Sequence, residues 1–84
     1  MASLRYTVVI EPTCEPEQPG WYYAHIPALD LTTHGQGVDG AMAAAKELIT
    51  GWIAEKQARG EAVPTESGSQ VRHIEIDPDA LHAA

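Results

Sequence analysis

Four histidines, His25, His34, His73 and His82, are the side chains of this 84-residue chain best suited to holding a metal ion or moving a proton. No two of them form an HxH or HxxxH pair, so no single strand or helix can present two ligands. A site would need the second, third and fourth strands to bring His25, His34 and His73 together, and sheet-face or surface positions are the favoured reading. The carboxylates at Glu11, Glu15, Glu17, Glu61, Glu66, Asp77 and Asp79 fall in loops and termini. Paired acid and base groups need rigid elements facing one pocket, so these residues read as solvation. Cys14 is the single cysteine, which excludes an internal disulfide and a cysteine zinc cage. No basic residue stands near it in sequence to lower its pKa, so it reads as a loop thiol. The glycines of "GQGVDG" precede a helix but lack a phosphate-loop fingerprint and its buried parallel strand. They permit a tight turn, with Gly37 near the helix N-cap. No catalytic residue, metal or cofactor is expected.

The elements that would position these groups can be read from periodicity. Residues 4–12, "LRYTVVIEP", alternate and are rich in β-branched and aromatic side chains, which makes a first strand. "TCEPEQPG" is the connecting loop of a hairpin. "WYYAHI" is a second strand, with Tyr22, Ala24 and Ile26 on one side and Trp21, Tyr23 and His25 on the other, stopped by Pro27. "LTTHG" is a short third strand, and Gly35 and Gly37 mark the turn out of the sheet. From Val38 the period becomes 3.6: Val38, Ala41, Met42, Ala45, Leu48, Ile49, Trp52 and Ile53 share a stripe, predicting one amphipathic helix over residues 38–59. Asp39 in its first turn and Lys56 and Arg59 in its last suit the macrodipole, and Gly60 with Pro64 stops it. "QVRHIEI" alternates again as a fourth strand, and residues 78–84 form a frayed tail. The expected class is α+β in the order β-β-β-α-β, an antiparallel sheet with one covering helix. It makes one domain over residues 1–84, with an ordered core at 4–77.

One helix shields one sheet face. Trp21, Tyr23 and Val9 then lie on the other, where an apolar patch marks an interface, so a homo-oligomer is expected. The net charge of -7, from 12 acidic and 5 basic residues, repels phosphate and favours encounter with a basic protein. Direct nucleic-acid binding is not expected. No apolar run approaches the roughly 20 residues that span a bilayer, and no signal peptide is evident, so the expected location is cytoplasmic and no membrane partner is foreseen.

The order and spacing of Tyr6 with residues 8–11, "GWYYAHIPAL", Gly35, "VDGAMAAAKELITGWI" and "GEAVPTES" resemble the antitoxin domain of the HicB family. The resemblance spans residues 6–67. It implies a truncated ribonuclease-H-like fold without an active site, which masks a small basic mRNA-cleaving toxin of the HicA type. The chain departs from the family in "ALDLTTHG", which is shorter and has no cysteine, and in carrying Gly40 beside Asp39 where a second acid is common. Many members continue into a DNA-binding segment, and no such segment is expected here.

Two functions follow as expectations. The first is a non-catalytic, self-associating antitoxin or a solitary relative of one, whose partner or oligomer interface is built from Trp21, Tyr23 and His25, with Glu11, Asp30 and Asp39 as an acidic edge that steers association. The second is a small-ligand or metal-binding oligomeric domain using the sheet-face histidines.

Overall fold

A computed structural model of the chain describes residues 4–14, 19–68 and 70–82. Strand β1 is Val9–Pro12, β2 is Trp21–Ile26, β3 is Leu31–Gln36, and the helix α1 is Gly37–Ala58. A single turn of 3-10 helix at Pro27–Leu29 joins β2 to β3, and a second 3-10 segment occupies Pro78–His82. The sheet is antiparallel in the order β1-β2-β3, with Val9 opposite His25, Glu11 opposite Tyr23, Tyr23 opposite His34 and His25 opposite Thr32. The three-stranded sheet followed by one helix is thus the expected α+β arrangement.

The first strand is shorter than its alternation predicts, because it runs off the end of its partner. Its last pair is Val9 with His25. Two residues further along β2 stands Pro27, which has no N–H to offer a neighbour. Residues 4–8 are consequently left outside the ladder.

The fourth strand does not form. Residues 70–76 belong to no strand, and Val71, Ile74 and Ile76 are 65%, 84% and 67% exposed. Alternation in a sequence describes a two-faced surface. It becomes a strand only beside a free edge that supplies hydrogen-bond partners.

α1 packs on β2 and β3. Ala24, Ile26, Leu29, Ala41 and Ala45 are its buried contact layer, flanked by half-buried Tyr6, Val8, Ile10, Tyr22, Leu31, Ile49 and Trp52. Small residues dominate the centre, so helix and sheet approach closely. Gly35 belongs to this contact and not to a turn. It lies inside β3, and a Cβ built on it would meet Gly40 C and O at 2.5 Å and Ala41 N at 2.6 Å. The turn out of the sheet falls at Gly37, the first helical residue, whose N–H donates to Gly20 O at 2.7 Å and so ties the helix start to the hairpin loop. Gln36 is the N-cap and makes no side-chain capping bond. At the other end Gly60 takes φ 71°, Gly60 N–H donates to Gln57 O at 3.0 Å, and Glu61 N–H donates to Lys56 O at 3.0 Å. That pair of bonds is a Schellman stop, and it ends the helix where the sequence places it. Val38 and Met42, on the predicted apolar stripe, are 48% and 44% exposed, and the helix sits mainly over β2 and β3.

Among the described residues, no helix is long and apolar enough to cross a membrane.

Candidate binding surface

Cross-strand partners in an antiparallel pair share a face, so the register fixes which side chains stand together. Val9 and Glu11 from β1, Trp21, Tyr23 and His25 from β2, and Thr32, His34 and Gln36 from β3 all lie on the face away from α1. The partition of β2 predicted from sequence is therefore the one observed: Ala24 and Ile26 are fully buried, whereas Tyr23 is 41% exposed. Trp21 and His25 are half-buried on that face.

Two contacts hold these side chains in place. The Trp21 and His34 rings lie 5.4 Å apart at 45°, a tilted aromatic pair. His25 Nδ1 and Thr32 Oγ1 share a hydrogen bond of 2.8 Å, linking β2 to β3 across the face. Val9, Glu11, Tyr23, His25 and Thr32 surround a shallow hollow of about 300 Å³. The arrangement is an open, slightly concave aromatic surface with one carboxylate at its β1 side. Its chemistry is that of contact: large flat rings for burial, one anion, and imidazole and hydroxyl groups able to donate or accept.

The other predicted site residues are spread out. Glu11 stands on the open face opposite Tyr23, but Asp30 occupies the left-handed corner before β3 with φ 53°, and Asp39 lies past the far end of β3 in the first turn of α1. A six-residue strand, roughly 20 Å long, separates Asp30 from Asp39. The three acids therefore do not form the single edge that was expected, and only Glu11 belongs to the aromatic face. A sequence gives each acid's neighbours along the chain, but the distance between Asp30 and Asp39 depends on β3 being extended.

The histidines are likewise divided. His25 and His34 are diagonal neighbours on the open face, while His73 sits on the exposed C-terminal segment. Among the described residues, no group of three or more histidine, cysteine, aspartate or glutamate side chains is placed to hold a metal ion. Cys14 is exposed.

Sequence reasoning missed a second surface. Leu4, Tyr6 and Val8, on the stretch that outruns β2, face Met42, Ala45, Lys46, Ile49, Thr50 and Ile53 of α1 across an open groove of about 540 Å³. The signal was present in the parity of Tyr6 and Val8, but it took the helix's offset from β1 to leave an open space between them and α1. This stretch is clasped from the C-terminal side: Thr7 N–H and Oγ1–H donate to Glu66 Oε1 and Oε2 at 2.8 and 2.7 Å, and Tyr6 O–H donates to Pro64 O at 2.6 Å. The Thr7 backbone bond, then the Thr7 hydroxyl, hold the Glu66 carboxyl below its ordinary pKa of 4.5, with Arg5 adding a small pull in the same direction against partial desolvation.

Comparison with known proteins finds no family model that matches the chain, no matching curated protein and no matching solved structure.

Proposed function

We propose that this chain is a non-catalytic protein-binding module, an antitoxin of the HicB-like kind or a solitary relative, which masks a small basic protein with the open face of its sheet. The observation that carries the reading is the surface formed by Trp21, Tyr23, His25 and Glu11, which presents two large rings and a carboxylate on one side of the sheet while α1 takes the other. The net charge of -7 supports a basic partner, because complementary charge raises the rate of productive encounter. Aromatic rings set at the centre of a sheet face supply the kind of contact that dominates binding energy. On this reading the sheet is the truncated ribonuclease-H-like one that the sequence resemblance implies, and the partner is an mRNA-cleaving toxin of the HicA type.

The test is to look for a small basic protein encoded beside this chain and to reconstitute the two. The pair should form a complex that blocks RNA cleavage, and Tyr23→Glu should abolish both the complex and the protection while the circular dichroism spectrum stays unchanged. Inhibition that survives Tyr23→Glu together with Trp21→Ala, or a neighbouring basic protein that fails to bind, would remove the proposal.

A further inference from the structure

The C-terminal segment and the uncovered groove are complementary, and neither is satisfied within one copy. Every described residue from 67 to 80 is exposed. The chain measures 55 × 33 × 20 Å with a radius of gyration of 16.9 Å, against roughly 12 Å for a compact chain of this length. The described residues of this span thus form an arm that the body leaves uncovered. It carries the strand alternation noted in the sequence, with Arg72, Ile74 and Ile76 on one side, and Ile74 and Ile76 are 84% and 67% exposed. A surface of that kind in water is a strand without a partner.

The groove supplies what the arm lacks. Thr13 N–H donates to Trp21 O, and the β1 to β2 register continues through Glu11 with Tyr23 and Val9 with His25. Antiparallel pairs alternate in bonding, so residues 9, 11 and 13 turn their backbone groups toward β2, and Val8 and Ile10 turn theirs to the free edge. A strand laid along that edge, with Ile74 and Ile76 on the helix side, would place both in the hollow between Leu4, Tyr6, Val8 and Met42, Ile49, Ile53.

We infer that the occupant is the arm of a second copy, and that two chains dimerise by exchanging residues 70–76 into each other's groove as an added edge strand. The root of the arm is fixed beside the groove, where Glu66 is clasped by Thr7 between the lining residues Tyr6 and Val8, and Gly68 then takes φ 77°. From there ten residues of extended chain span about 33 Å, enough to cross into a neighbour related by a twofold axis near Thr7. An isologous exchange of this sort closes on itself and leaves no open edge to propagate. The need for it lies in the core, where Ile26 is the one large side chain fully buried among the described residues. This inference is independent of the open aromatic face.

Sedimentation velocity on the full chain tests it. The wild type should run at twice 9.0 kDa at micromolar concentration. Ile74→Asp with Ile76→Asp removes the arm's apolar side, and Leu4→Asp with Met42→Asp blocks the groove. Leu4 and Met42 are 48% and 44% exposed, so a single copy keeps its fold. Each double variant should raise the dissociation constant by at least about a hundredfold, the factor implied by losing burial of one isoleucine in each of two symmetric contacts. An equimolar mixture of the two double variants should recover partial association, since one intact arm meets one intact groove. Tyr23→Glu should leave the dimer unchanged. A wild type that stays at 9.0 kDa up to hundreds of micromolar, as it would if the arm closed on its own groove, would overturn the inference. So would a dimer that survives both double variants and breaks with Tyr23→Glu.

Discussion

Gly35 and Gly40 face each other across the helix–sheet contact, yet replacing them by alanine should have opposite effects. At Gly35 the new methyl would sit 2.5 Å from Gly40 C and O and 2.6 Å from Ala41 N, where ordinary contact begins at 3.4 Å. The shortfall, 3.4 minus 2.5, is 0.9 Å, and the obstacle is the backbone of the first helical turn, which cannot swing aside as a side chain would. The helix start must lift from β3, disturbing Ala41 and the Gly37 to Gly20 bond together. Overpacking a close-packed contact costs about 1–3 kcal/mol, and backbone against backbone places Gly35→Ala near the upper figure. For a domain of this size about 3 kcal/mol lowers Tm by roughly 12–24 °C. At Gly40 the new methyl finds Gly35 C at 3.6 Å and Gln36 Cβ at 4.0 Å, an ordinary fit. A helical Gly→Ala exchange with room for the methyl stabilises by about 0.5–1 kcal/mol, so Gly40→Ala should raise Tm by roughly 2–8 °C. Thermal melts followed by circular dichroism, at one fixed chain concentration because association shifts Tm, measure both. A Gly35→Ala variant that melts within about 3 °C of the wild type would show that α1 does not approach β3 this closely.

Ile26→Ala should destabilise by about 2–5 kcal/mol, since Ile26 is fully buried under α1, whereas Trp21→Ala should cost less than about 2 kcal/mol because its ring lies on the opposite face against His34; urea midpoints that rank the two the other way would contradict the assignment of faces. The Glu66 clasp gives a pH dependence of known sign. A carboxyl held below its ordinary value of 4.5 contributes stability that is fully present above that pH and lost as pH falls through the lowered folded value. The Tm difference between wild type and Glu66→Gln should therefore be largest near neutrality and shrink below about pH 4.5, and a difference independent of pH would refute the charged clasp. With a basic partner in hand, Glu11→Gln should slow association and flatten its salt dependence, because Glu11 stands beside Tyr23 on the open face. Asp39→Asn should act mainly on the fold, costing about 0.3–1 kcal/mol at the helix N-terminus, as Asp39 lies in the first turn of α1 away from that face; stopped-flow rates and melts of both variants separate the two roles.

The sequence by itself determined the elements whose cause is local. The change of period at Val38, the Gly60 stop and the Pro27 stop are written in neighbouring residues, and α1 and β2 lie where those signals put them to within a residue. The same parity assigned Trp21, Tyr23 and His25 to one face, because a strand alternates whatever it pairs with. Tertiary structure decided everything that depends on a neighbour. The segment at residues 4–8 leaves the ladder because β2 ends beside it, and residues 70–76 make no strand because alternation specifies two faces but not an edge to join. Gly35 reads as a turn residue in sequence, yet it serves the approach of a helix whose backbone comes within 2.6 Å of where its side chain would be. Glu11, Asp30 and Asp39 are expected from sequence to share one acidic edge, but an extended β3 holds two of them at opposite ends. Local rules act through bonds and rotamers of adjacent residues, whereas pairing, cover and distance are set by which surfaces meet when the chain closes on itself.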